Sequence, residues 1–144
     1  MVTLNITSNV LANEFEGDLN PNELRNPYNS YNVFTFEKVV DGDTFHASDK
    51  IIRLWGIDAP EKHEQHYEIS SKALELFLEK GVLKCKQVDV DRYERDVMHC
   101  YLGDADIGGL MVKLGYAKDY PKYSGGFYQR EQQFAKEEKL GLWK

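Results

Sequence analysis

Apolar and polar positions change rhythm along this chain. Residues 1–32 keep no sustained period: Pro21 and Pro27 interrupt them, and every Asn of the sequence, from Asn5 to Asn32, falls there. An irregular Asn-rich arm is expected over residues 1–32 and a folded domain over residues 33–144. From Val33 the rhythm is that of strands. Val33 to Phe36 with Val39 and Val40 predicts a first strand, Thr44 to Ala47 a second and Ile51 to Trp55 a third, with Ser48, Asp49 and Lys50 as the last turn. The period then lengthens. Ala73, Leu74, Phe77 and Leu78 share one helical face, with Ser70 or Ser71 as N-cap and Gly81 as stop. Val82 to Val90 and Val97 to Leu102 predict two more strands around the charged loop 91–96. A short helix over Ile107 to Leu114 ends at Gly115, and a last helix over Phe127 to Lys139 closes at Gly141.

Five strands with helices between and after them predict a mainly β fold with α. A five-stranded Greek-key barrel of the OB kind, with three helices, fits better than a sandwich or a βαβ sheet. A chain of 144 residues is long enough for one core. No apolar run approaches membrane-spanning length, and the first residues lack the pattern of a signal peptide. Cys85 and Cys100 are the two cysteines; Cys100 alternates with Met98 and Leu102 as a core thiol, with a cross-strand disulfide to Cys85 as the alternative. Trp55 reads as a strand residue covering the barrel and Trp143 as a core anchor for the last helix. The net charge of −6 argues against binding polyanions through overall basicity, so any phosphate chemistry has to be local.

Local chemistry is available at Asp41, Gly42, Asp43, Thr44 and again at Arg53 to Glu61. A hairpin centred near Asp49 sets Asp43 opposite Trp55 and Arg53 near Phe45, which brings Asp58 and Glu61 to the same barrel end. Carboxylates that converge need a cation or a proton to relieve their repulsion, and oxygen ligands without His or Cys favour calcium or magnesium over zinc. His63 and His66 lie close by, but without zinc-site spacing they read as part of a solvated loop.

These segments, D-G-D-T, R-L-W-G-I-D-A-P-E and D-R-Y-E-R, occur in the order of the marks of the staphylococcal nuclease (thermonuclease) family, and residues 33–144 resemble that family throughout. The resemblance implies an OB-fold domain with calcium-dependent hydrolysis of DNA and RNA to 3'-phosphate ends. It makes Asp43, Asp58 and the Ala59 carbonyl the ligands of one Ca2+, with Asp41 behind them. Glu61 would act on the attacking water, Arg53 and Arg95 on the phosphate, and Tyr93, Arg92, Tyr120 and Tyr123 on the neighbouring nucleotide. A monomer acting on single-stranded nucleic acid is expected, with no membrane partner and, from the family, a secreted or periplasmic site of action. Nothing in the sequence supplies base-edge readers on a groove-sized helix, so little sequence preference is expected.

The departures from the family pattern are Glu94 in place of Gly, Ala59 in place of Thr and Gln132 in place of Glu. Glu94 puts a side chain where the loop wants φ > 0 and a negative charge beside Arg95. A catalytically silent OB module that binds nucleic acid or a peptide is the rival reading. Retention of Asp43, Asp58, Glu61, Arg53 and Arg95 together argues against it.

Overall fold

The computed structural model describes residues 30–144, so the expected arm lies outside the described residues up to Asn29. β1 (Asn32–Phe34) is followed after Thr35 by β2 (Phe36–Asp41), β3 (Thr44–Ala47), β4 (Lys50–Leu54) and the short β5 (Ile57–Asp58). The chain continues as α1 (Tyr67–Leu78), β6 (Leu83–Val90), β7 (Asp96–Leu102), β8 (Ala105–Asp106), α2 (Ile107–Lys113), β9 (Lys118–Asp119), α3 (Pro121–Ser124), α4 (Gln129–Glu137) and a 3-10 turn, Gly141–Trp143. The longer elements match the expected five strands and three helices. The expected first strand is split at Thr35 into β1 and β2, and β5, β8, β9 and α3 are short additions.

The main sheet runs β1-β6-β7-β4-β3-β2, with β8 on β7, while β5 pairs with β9 apart from it. β1 pairs with β6 and β2 with β3, and only Thr35 separates β1 from β2. Both ends of the strand order therefore lie on one stretch of chain, and the sheet curls on itself as an OB-type barrel does. One pairing, β4 with β7, is parallel; it sets Arg53 beside Val97 and so brings the start of β7 against the middle of the barrel wall.

Alternation along β6 and β7 sends Leu83, Cys85, Met98 and Cys100 inward and Lys84, Lys86, His99 and Tyr101 outward. Cys85 lies opposite Cys100 and the two form a disulfide, so the alternative to the free core thiol is the one realised. Phe45, Ile52 and Leu54 meet Leu74 and Leu78 of α1 and Ile107, Met111 and Val112 of α2 in a single core. Each such fully buried side chain contributes about 1.5–3 kcal/mol. Among the described residues no helix is long and apolar enough to cross a membrane.

Four local expectations are corrected. α1 begins at Tyr67, because His66 takes the cap position at φ 69, and buried Ser70 donates its hydroxyl to the Tyr116 carbonyl at 2.7 Å instead. The last helix starts at Gln129, because Gly125 and Gly126 both have positive φ and separate it from α3. Trp143 is half-buried outside the core, with the Lys118 and Lys136 ammonium groups 5.5 and 4.8 Å from its ring centre. The β3–β4 register differs by one residue: Ala47 pairs with Lys50 and Thr44 with Arg53, so the Asp43 carbonyl accepts from Leu54 N, not from Trp55. Ser48 and Asp49, at φ 49 and 62, make a two-residue turn whose left-handed backbone suits the strand twist, and Lys50 becomes a strand residue.

Candidate active site

The tight β2–β3 connection supplies the first carboxylates. Asp41 Oδ1 accepts from Asp43 N at 3.0 Å and so shapes the turn. Gly42 is required there by close packing: a Cβ would collide with the Ser70 hydroxyl and lie 2.8 Å from the Ala59 Cβ. Asp43 is 5% exposed. Its Oδ1 accepts from the Thr44 hydroxyl at 3.0 Å, and its Oδ2 accepts from Ala59 N at 2.8 Å. That last bond ties the first motif to the second, sixteen residues on in sequence.

Arg53 leaves β4 on the same face as Thr44. Its Nη2 is 3.3 Å from Asp43 Oδ2, and its Nη1 donates to the Leu54 carbonyl at 2.6 Å, which fixes the plane of the guanidinium. Asp58 is held by β5, opposite Lys118 of β9. β9 is itself braced by Gln132, whose side-chain oxygen accepts from Asp119 N at 2.9 Å. The family departure at Gln132 thus sits in the support of the site.

The β6–β7 loop brings the second guanidinium. Asp91 accepts from Tyr93 N at 2.9 Å and Arg95 N at 3.0 Å, and its Oδ2 takes a 2.6 Å bond from Arg95 Nε. Arg95 Nη1 then reaches the Thr44 hydroxyl at 3.4 Å, so one threonine links it to the Asp43 carboxylate that Arg53 also touches. The Tyr93 ring lies 5.3 Å from the Arg95 guanidinium and 4.8 Å from that of Arg92, and the Arg92 Nη2 donates to the Tyr93 hydroxyl.

These elements wall a cleft of about 710 Å3, onto which Asp41, Asp43, Arg53, Asp58, Glu61 and Arg95 all open. Arg92, Tyr93, Tyr120 and Tyr123 line it as well, the last two with their rings edge to face at 4.9 Å. Ala59 stands behind Asp43 and is buried. Glu61 is exposed at the mouth, where Glu64 accepts from its N–H at 3.2 Å. His63 is exposed on the same turn. Among the described residues no three His, Cys, Asp or Glu side chains gather into a ready-made metal cage.

Electrostatics separate the carboxylates. Burial, with a contribution from Asp41 and against the pull of Arg53, pushes the Asp43 carboxyl up to about 7. Asp58 is raised by desolvation and then by the Asp43 charge, with Arg53 opposing. Asp91 behaves in the opposite way: burial works against its charge, but the bonds from Arg95 and Tyr93 hold it below the usual carboxylate range. Two carboxylates of raised proton affinity (Asp43 through burial and its neighbour Asp41; Asp58 through burial and the Asp43 charge) suit a hard cation that keeps water in most of its shell. The donor set is oxygen only, as calcium or magnesium requires.

Thr44 and Asp91 stand inside the motifs without a role assigned to them there, and Lys122, which lines the cleft, lies outside them. The signal for Asp91 is present in the sequence, an Asp two residues before Tyr93 and four before Arg95, which suits an Asx turn. Glu94 has φ 62, so the position is left-handed as expected of one that favours Gly. Glu94→Gly is therefore expected to raise stability by up to about 1 kcal/mol, once the greater freedom of Gly in the unfolded chain is subtracted. Thermal melts check this, and a destabilised variant would show that the Glu94 backbone is not strained.

The family model described as Staphylococcal nuclease homologue matches residues 51–144. The match starts after Asp41 and Asp43, whose membership of the cleft rests on the contacts above. Among curated relatives, an "Uncharacterized endonuclease" of Haemophilus influenzae is 33% identical over 112 residues, covering 74% of this chain and 63% of the relative. The "Succinoglycan biosynthesis protein ExoI" of Rhizobium meliloti is 30% identical over 118 residues, with 74% and 62% covered. An "Uncharacterized endonuclease" of Escherichia coli O157:H7 is 30% identical over 112 residues, with 74% and 73% covered. The chain spans less than two thirds of the length of the first two.

Proposed function

The chain belongs to the staphylococcal nuclease homologue family, and from that premise we propose that it is a calcium-dependent nuclease. It hydrolyses phosphodiester bonds of DNA and RNA, preferably single-stranded, with little sequence preference, and leaves 3'-phosphate ends. The observation that carries this reading is the convergence of Asp43, Asp58, Glu61, Arg53 and Arg95 on one cleft. Asp43, Asp58 and the Ala59 carbonyl would hold one Ca2+, with Asp41 in support. The ion, when bound, supplies Lewis-acid polarisation of the phosphoryl group. Glu61 orients the attacking water and takes its proton. The water oxygen bonds to phosphorus as the bond from phosphorus to the 5'-oxygen breaks; the phosphate stays on the 3' side, and the departing 5'-oxygen takes a proton from solvent. Arg53 and Arg95 offset the charge that grows on the phosphoryl oxygens, and their planar forks match those oxygens. Arg92, Tyr93, Tyr120 and Tyr123 hold the adjoining nucleotide by charge and stacking.

Digestion of denatured DNA in calcium, in magnesium and in chelator tests the reading, with Glu61→Gln run beside the parent. Cleavage is expected in calcium alone, with 3'-phosphate products, and Glu61→Gln should lose on the order of 100-fold or more in rate. Undiminished cleavage in chelator would exclude the cation. Binding of DNA without cleavage in any metal would favour the silent module instead.

A further inference from the structure

The outward face of β6 and β7 continues from the cleft. Trp55, expected to cover the barrel, also lines the cleft, and its ring lies 5.4 Å from both Phe127 and His99. From His99 the contacts run on to Tyr101 at 4.9 Å and from Tyr101 to Tyr31 at 5.5 Å. The Lys86 ammonium stands 5.9 Å from the Tyr31 ring centre. Phe127 and Tyr31, which flank the run, are 57% and 44% exposed, far more than an aromatic packed for the core.

The geometry points to a second binding site on this face, a stacking track of Trp55, Phe127, His99, Tyr101 and Tyr31 that carries single-stranded nucleic acid away from the cleft. Two observations select that occupant. The track is continuous with the cleft through Trp55, so a strand whose phosphate lies between Arg53 and Arg95 has this face as its next surface. Its charge is also complementary: Lys84 and Lys86 project from β6 on the same side, and neither forms an ion pair among the described residues, in a chain whose net charge is −6. The carboxylate beneath the rings, Asp106, is taken up by His99 Nε2 at 2.8 Å, by the Tyr128 hydroxyl at 2.8 Å and by Gly109 N at 3.2 Å, so it is not turned towards a phosphate. Aromatic faces interleaved with cations suit unpaired bases and their backbone, since every base has a face to stack and every linkage a charge.

The site rests on the nuclease reading for its direction but is tested apart from it. The full chain is compared with Tyr31→Ala/Phe127→Ala and with Lys84→Glu/Lys86→Glu on a trinucleotide and on a single strand of about 20 nucleotides, long enough to pass beyond one barrel mouth. With calcium, both variants should raise KM for the long strand about 10-fold at unchanged kcat and leave the trinucleotide untouched. In chelator, anisotropy of the labelled long strand should show the same loss of affinity. In the lysine variant the slope of log affinity on log salt should fall by about 1.4. If the parent cleaves neither substrate yet binds the long strand and loses it in the variants, the track stands and the hydrolytic reading falls. Equal affinity in parent and variants, or equal losses on both lengths, overturns the track. So does a parent that self-associates through this face and becomes monomeric in the variants by sedimentation.

Discussion

Arg95→Ala is expected to lower kcat on denatured DNA by about 100-fold or more in saturating calcium, with a much smaller change in KM. The reason is how the side chain is held. Asp91 binds Nε and the Arg95 backbone, leaving the outer nitrogens to face the cleft. A fixed guanidinium loses little freedom when the phosphoryl charge grows, so its attraction is felt in the transition state more than in the substrate complex. Two companions sharpen the expectation. Arg95→Lys keeps the charge but loses the planar fork, and should recover only a small part of the rate. Asp91→Ala leaves Arg95 in place but unaimed, and should lower kcat while a lysine-like, charge-only contribution persists. A rise in KM with kcat intact would reassign Arg95 to uniform substrate binding.

Asp43→Asn is expected to abolish calcium-dependent cleavage and yet stabilise the metal-free protein above neutral pH. The Asp43 carboxyl titrates at about 7 in the fold, against 3.8 as its ordinary value. As pH rises from about 4, the unfolded chain gives up this proton first, so the metal-free fold loses stability through that window and levels off above about 7. Asparagine keeps the acceptor for Ala59 N and removes the buried charge. The pull of Arg53 is already contained in the rise to about 7, so the gain at pH 8 is on the order of a few kcal/mol. Chelator-treated melts across pH check the sign, and calcium should shift the melting temperature of the parent but not of the variant. A variant less stable than the parent at pH 8 would mean that the Arg53 contact outweighs the cost of burial.

Both expectations depend on a site whose parts, and the meeting of its carboxylates at one barrel end, were legible in the chain but whose supports were not. The period-2 and one-face patterns located β3, β4, β6, β7, α1 and α2, because each buries one face against a shared core. The register of β3 on β4 was less legible. Its turn uses Ser48 and Asp49 at positive φ, without the Gly that usually marks such turns. The parallel pairing of β4 with β7 leaves no local trace at all, since it joins segments over forty residues apart. Yet that pairing brings Arg95 to Thr44. The same limit hid β5 and β9, two residues each, which hold Asp58 through Gln132 and Asp119. Short motifs gave the acidic and guanidinium groups of the cleft; the struts behind them are long-range and leave no spacing to read.

The single residue between β1 and β2 has a bearing on how the chain can be shortened. Thr35 joins a strand that zips to β6 with one that zips to β3, so this stretch acts as the seam of the barrel. A truncation of residues 1–29 keeps both strands of that seam, which begin at Asn32 and Phe36. Trimming on through residue 36 would strip β1 from β6 and bare that border, while Lys38, Val39 and Asp41 keep their partners on β3, so one open strand edge would turn the cut into a question about aggregation.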